Sequence, residues 1–289
     1  MNSRLNYSPQ VPLTLRRALS AVLAILALLL GSATFLGTLT SQAAPLPTTA
    51  LQANTAPEAN AALDWLGSQL VANGNSLPGF AVGTAPAQPD WGLTADALIG
   101  FIAAGRADEL VPDLAVENLF ANLSEFTTYE PEIAGVRLAG PTAKLLLISE
   151  SLGRTTQLEP GLALEQELRS LMISTGPSAG RFADRNPSSS DPGAGDSNNG
   201  FGQALAVLAL SLTESGIPPK AVEYLLAQQC PEGGFRLIYS ATPGCVSTAR
   251  SDTDSTAIAI QALLAAERTT AVAAALSDAT SWLLSQQDS

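Results

Sequence analysis

Between Lys220 and Leu264 the chain carries a helix with one wet face, a Gly-rich turn, and a second helix that is apolar nearly all round. In the first helix Ala221, Val222, Leu225 and Leu226 recur at helical spacing, with Lys220, Glu223 and Gln228 between them. Pro218-Pro219 suits its start, because proline fixes φ and a first-turn N–H has no helical partner anyway. Gly233-Gly234 ends it by supplying positive φ, and Phe235 returns an aromatic to the core. The second helix runs from Ala257 to Ala266 behind Asp254, with Ser255 or Thr256 as its expected cap. A helix with no polar face has to be covered on every side. The unit is therefore an outer helix packed on an inner one.

Looser copies of this unit precede it. Leu63, Trp65, Leu66, Leu70 and Val71 give an outer helix closed by Asn73-Gly74, and Pro78-Gly79-Phe80 replaces the Gly-Gly-Phe turn. Asp90 to Thr94 then opens an inner helix over Ala95–Ala104. A second pair uses Leu114, Val116, Leu119, Phe120 and Leu123, then an inner helix over Ala143–Leu152 capped by Thr142. Lys144 is the one basic residue of an inner helix and reads as a snorkelling or mouth-facing side chain. A third pair uses Leu164, Leu168, Leu171 and Met172, the turn Gly180-Arg181-Phe182, and an inner helix over Ala204–Leu212. A fifth outer helix, Ala274 to Gln287, ends the chain. Units that cannot cover their own inner helix stack side by side. The expected fold is all-α: an α/α toroid of about four and a half hairpins over residues 59–289. That count leaves three options: a truncated chain, an open barrel, or a partner that completes it.

Ahead of the repeats, Arg4, Arg16 and Arg17 precede an uncharged run from Ala18 to Leu39, and Ser41-Gln42-Ala43 offers small residues for cleavage. Residues 1–43 read as a secretory signal peptide, or an anchor if uncleaved, and 44–58 as a linker. Arg16-Arg17 also fits the twin-arginine route. Localisation is then secreted or extracytoplasmic, with cell-surface association open. Loss of residues 1–43 moves the formal charge from −12 to −15. That charge excludes nucleic acid and anionic membrane as partners, apart from the N-terminal segment itself. Cys230 and Cys245, in an exported chain, read as a disulfide closing one loop. The alternative is two buried thiols.

Residues Lys220 to Phe235 resemble the glutamine-aromatic repeat of the terpenoid cyclase and prenyltransferase superfamily. Lys220, Ala221, Tyr224, Leu225, Gln229 and Gly233 fit its pattern, Phe235 stands for the tryptophan, and Thr280 to Gln287 repeats the first half. The resemblance implies the α/α barrel shared by squalene–hopene cyclases, protein prenyltransferase β-subunits, thioester-containing complement domains and cobalamin carriers.

It also implies chemistry that can be checked against residues. Class II cyclases carry Asp-x-Asp-Asp-Thr-Ala, whose middle aspartic acid protonates the substrate. This chain has Asp252-Thr253-Asp254-Ser255-Thr256-Ala257, so Asp254 stands in the acid's place and Ser255 replaces the last aspartate. Asp252 and Asp254 also read as an N-terminal capping cluster. Aromatic residues total 5%, few for walls that steady carbocations. With no histidine anywhere, the prenyltransferase zinc site, a histidine base and a Ser-His-Asp triad are excluded. No Asp-Asp-x-x-Asp run, thioester sequence or Walker loop is present. In the loop Asp184–Gly200 the oxygen donors Asp184, Asp191, Asp196, Asn198 and Asn199 lack EF-hand spacing, and the segment reads as an acidic linker. No cofactor or metal is expected.

Two functions remain. The leading one is a non-catalytic toroid that binds a small hydrophobic ligand or an extracytoplasmic protein in its lumen or at an acidic mouth. Asp90, Trp91, Asp96, Asp196 and Asn198 would form that mouth with Asp252 and Asp254. The other is a class II terpenoid cyclase with Asp254 as acid, supported by Asp252.

Overall fold

The computed structural model describes residues 57–81, 87–129, 133–154, 164–187, 196–239, 244–246 and 251–287. The leader and most of the linker lie outside them, as does Asp191. Among the described residues no helix is long and apolar enough to cross a membrane.

The hairpins expected from sequence are present. Outer helices are α1 (Pro57–Ala72), α3 (Leu110–Ala121) with the short α4 (Leu123–Thr127), α6 (Leu164–Ser170), α8 (Pro219–Leu226) and α10 (Thr270–Ser285). Inner helices are α2 (Trp91–Ala103), α5 (Ala139–Leu152), α7 (Gly200–Leu210) and α9 (Thr253–Ala265). The inner helices form a row, α2 on α5, α5 on α7 and α7 on α9, while α1, α3, α6, α8 and α10 cover it from outside. One apolar core runs through the row, and α7 is buried from Gly202 to Leu210. The protein is an all-α, α/α-toroid fold.

Aligning the inner helices at their N-caps exposes a shared device. The fourth helical residue is Thr94, Thr142, Gln203 or Thr256, and each is buried. Thr94 Oγ1 donates to Asp90 O and accepts Leu77 N–H, while Thr256 Oγ1 donates to Asp252 O and accepts Phe235 N–H. Gln203 Oε1 accepts Phe182 N–H, and its Nε2 donates to Gly180 O and to Ala221 O of the next outer helix. At α2, α7 and α9 the preceding turn is thus latched to its inner helix by a side chain at one register position, while Thr142 of α5 bonds only Leu138 O at its own helix start. Two-residue ribbons reinforce the first and last latches, pairing Leu77 (β1, Leu77–Pro78) with Asp90 (β2, Pro89–Asp90) and Phe235 (β3, Phe235–Arg236) with Asp252 (β4, Ser251–Asp252).

This register corrects two expected caps. Thr142 does not cap its helix, which begins three residues earlier at Ala139, and the buried Asp184 accepts the Ala139 N–H from another hairpin. Ser255 and Thr256 do not cap α9, since Asp252 does so by accepting Ser255 N–H at 2.7 Å. Two expected core residues of α1 are also outside: Trp65 and Val71 are each 61% exposed, and Leu63 and Leu70 alone are buried there.

Two turns require glycine. Gly180 has φ +93° and a Cβ there would overlap the Lys220 carbonyl of α8. Gly233 has φ +107° and its Cβ would lie 2.7 Å from the Asp278 carbonyl of α10. In both, the turn backbone lies directly against the next outer helix, which only an absent side chain permits. Gln229 of the glutamine-aromatic motif ties the same junction, donating to Gly233 O and to Ala275 O of α10. Cys230 and Cys245 form the expected disulfide, and the loop it closes lays Tyr239 against Tyr224 and the Arg181 and Arg236 guanidiniums.

Candidate functional site

The register that aligns the latches also identifies the concave wall. In α7, Ala204, Ala206, Val207, Ala209 and Leu210 are fully buried, whereas Leu205, Leu208 and the following Leu212 keep 5%, 4% and 8% exposure and Phe201 is half-buried. Phe201, Leu205, Leu208 and Leu212 stand at positions 2, 6, 9 and 13 counted from the helix start, a single stripe at helical spacing. The same positions in α5 are Gly140, Lys144, Leu147 and Ser151, of which Gly140, Lys144 and Ser151 are partly exposed and Leu147 keeps 4%. In α9 they are Asp254, Ile258, Gln261 and Ala265, and in α2 Gly92, Asp96, Ile99 and Ala103. One stripe thus runs at the same register along each inner helix: largely aliphatic, with charged groups near the helix N-termini.

Lys144 and Asp96 meet across that face. They hold the same position on adjacent helices, their ion pair is 2.6 Å, and Lys144 Nζ also approaches Gly92 O at 3.4 Å. Lys144 is thus neutralised by a wall carboxylate and is not a free amine. Asp254 lies at the rim of the wall, exposed, with no hydrogen bond or ion pair among the described residues. The next residue, Ser255, is buried and its hydroxyl has no partner.

The other expected mouth residues are mostly committed to holding the fold. Asp90 caps α2 by accepting Leu93 N–H. Trp91 is buried, with an indole N–H that has no acceptor. Asp196 accepts the N–H groups of Asp184 and Asn198 and pairs with Arg181. Burial pushes its carboxyl above the ordinary aspartate range, against the downward pull of the Asp184 N–H and Arg181. Asp184 accepts Ala139 N–H on one oxygen and Ser197 N–H and hydroxyl on the other. Asn198 donates to Phe182 O, and its side-chain oxygen fills the space beside Gly202 where α7 meets Gly140 of α5. The described ends of the Asp184–Gly200 segment are therefore pinned tethers, not an acidic linker. Among the described residues no group of acids, cysteines or histidines is arranged to hold a metal.

Of the residues expected at the mouth, Asp96 and Asp254 fall on this stripe, and its aliphatic positions were not singled out from sequence. The signal was available for three helices: counting from the caps Asp90, Asn199 and Asp252, positions 6 and 9 read Asp96 and Ile99, Leu205 and Leu208, Ile258 and Gln261, whereas the cap of α5 is Leu138, with no such marker.

The fold is an α/α toroid whose inner helices share one register. No family model matches the sequence, and no curated protein does. Among solved structures the chain is similar to the type II terpene cyclase MstE from Scytonema in its apo form, at 18% identity and a TM-score of 0.51, covering 95% of this chain and 79% of that one. It is equally similar to a substituted MstE holding the product merosterolic acid A, at 18% identity and a TM-score of 0.51, over 95% and 80% of the two chains. A further form, holding the substrate geranylgeranyl dihydroxybenzoate, gives 18% identity and a TM-score of 0.52, over 95% and 79%. The likeness at this identity is one of fold.

Proposed function

We propose that the chain takes a small isoprenoid-type ligand against the wall at positions 2, 6, 9 and 13, and that it acts as a class II terpenoid cyclase with Asp254 as the acid. The observation that carries this is the division of labour at the head of α9. Asp252 is committed to the Ser255 N–H, while Asp254 is held two residues further on with no partner, at the edge of an aliphatic surface. In the reaction Asp254 gives its proton to a terminal double bond, a neighbouring double bond attacks the resulting cation to close a ring, and proton loss to water ends the sequence. The substrate is isomerised and the acid is reloaded from solvent. An aspartic acid holds its proton near neutral pH only in a dry setting, so the hydrocarbon has to cover Asp254 as it binds. The similarity to a cyclase that holds a geranylgeranyl substrate supports this ligand class.

A second reading, a carrier that binds without chemistry, is favoured by one observation: Asp254 is exposed and has Ser255, not a second carboxylate, beside it. Incubation with squalene and with geranylgeranyl-bearing substrates separates the two. Cyclised product that disappears in Asp254→Asn supports the cyclase. Saturable binding without product supports the carrier, and neither binding nor product removes both.

We further propose export, with residues 1–43 as the leader, 44–58 as linker and 59–289 as the toroid domain. The Cys230–Cys245 bond supports an oxidising compartment. An N-terminus at Ala44 in culture medium is the expected result, and retention of residues 1–43 on protein held in the cytoplasm would contradict it.

A further inference from the structure

On the outer wall, remote from the concave face, α8 and α10 flank a cavity of about 700 Å³ beside the disulfide. Its lining includes Gln229, Glu232, Asp278, Ser281, Trp282 and the two bonded cysteines. Asp278 and Trp282 are four residues apart on α10 and so share one helix face. Trp282 is fixed from below, because its ring lies directly on Gly234, where an added Cβ would sit 2.7 Å from the indole. Gln229 is committed to Gly233 O and Ala275 O, and holds the junction closed beneath the cavity.

Among the described residues this lining contains two carboxylates and neither lysine nor arginine. Among the described residues Glu232 Oε1 receives the Ser251 hydroxyl, and its buried Oε2 has no donor. A buried carboxylate oxygen left unpaired costs free energy that a bound donor recovers. A rigid indole beside unpaired carboxylates is the arrangement that attracts a cation carrying N–H donors. The volume exceeds what a bare metal ion needs, and two separated acids do not make a coordination shell.

We propose that this cavity binds an organic cation, a guanidinium or alkylammonium group, held by Asp278 and Glu232 against Trp282. The site is independent of the concave wall and of any reaction there. A free small cation and a basic side chain of a peptide present the same group.

The test is calorimetric titration of the full chain, together with tryptophan fluorescence, using acetyl-arginine methylamide, spermidine and a Gly-Arg-Gly peptide, with acetyl-citrulline methylamide as the uncharged control. Saturable binding of the cations but not of citrulline is expected, with an indole signal lost in Trp282→Phe and affinity reduced several-fold in Asp278→Asn. Asp278 is exposed on α10, so its variant is expected to melt like the parent, and Glu232→Gln gives a second reading. Tighter binding of the peptide would point to a basic protein segment, and tighter binding of spermidine to a free amine. Equal affinity for citrulline, affinity unchanged in Asp278→Asn, or no saturable binding would each overturn the proposal.

Discussion

Thr256 Oγ1 receives the backbone N–H of Phe235 at 2.8 Å while giving its own proton to the Asp252 carbonyl at 2.6 Å. One hydroxyl thereby fixes the glutamine-aromatic turn, the first turn of α9 and the residue that caps it. Thr94 does the same between Leu77 and Asp90 at the opposite end of the row.

Thr256→Val keeps the shape and leaves a buried N–H without an acceptor. The expected loss is about 1–3 kcal/mol in chemical denaturation, with most of it restored in Thr256→Ser. A midpoint equal to that of the parent would show that the latch contributes nothing.

Gly180→Ala places a methyl group into the Lys220 carbonyl at a φ of +93°. The strained backbone alone costs on the order of 1–3 kcal/mol, and the overlap adds to it. Gly74→Ala, where positive φ occurs without any neighbour within 4 Å, is the control and is expected to cost less. Thermal melts of the two variants decide this, and equal shifts would remove the close-approach argument.

Reduction of Cys230–Cys245, whose cysteines are 15 residues apart, is expected to cost roughly 3 kcal/mol on the chain-entropy account. The loss would appear as a lower denaturation midpoint under reducing conditions. The double Cys→Ser variant is expected to show it irrespective of reductant.

Glu150, in the last turn of α5, has its carboxyl raised above the ordinary glutamate range by burial, helped by the nearby charges of Glu165 and Glu214. A folded-state value above the unfolded one means that the folded chain binds this proton more tightly. Stability is therefore favoured below the ordinary glutamate range and declines as pH rises through the folded value. Glu150→Gln is expected to flatten that decline and to melt higher at neutral pH. A steeper decline in the variant would reverse the assignment.

Asp252→Ala removes the α9 cap and is expected to cost about 1 kcal/mol, whereas Asp254→Ala should leave stability nearly unchanged. Urea titration of both variants checks this. A large loss for Asp254→Ala would make it a structural residue and leave no acid at the rim.

The helical hairpins were legible because outer helices such as α8 alternate wet and dry at 3.6-residue spacing, and the disulfide because two cysteines bracket one loop. The caps were less so. Thr142 and Thr256 look like N-caps in sequence, yet each hydroxyl bonds the carbonyl four residues back, a choice that depends on where the helix has already begun. Asp184 and Asp196 read as linker acids because their partners, Ala139 N–H and Arg181, are remote in sequence. The concave wall was hidden for a different reason. In α7 every face is apolar, so hydrophobic periodicity gives no sign of which one faces inward, and only the small residual exposure of Leu205, Leu208 and Leu212 does.

The isoprenoid ligand proposed above lies against that inward stripe. A polyprenyl photoaffinity probe, followed by peptide mapping, reads it directly. Labelling is expected at Phe201, Leu205, Ile258 and Gln261, competed by unlabelled geranylgeranyl substrate and unaffected by arginine. Labelling confined to α8 and α10 on the outer wall, or none that the substrate competes, would contradict it.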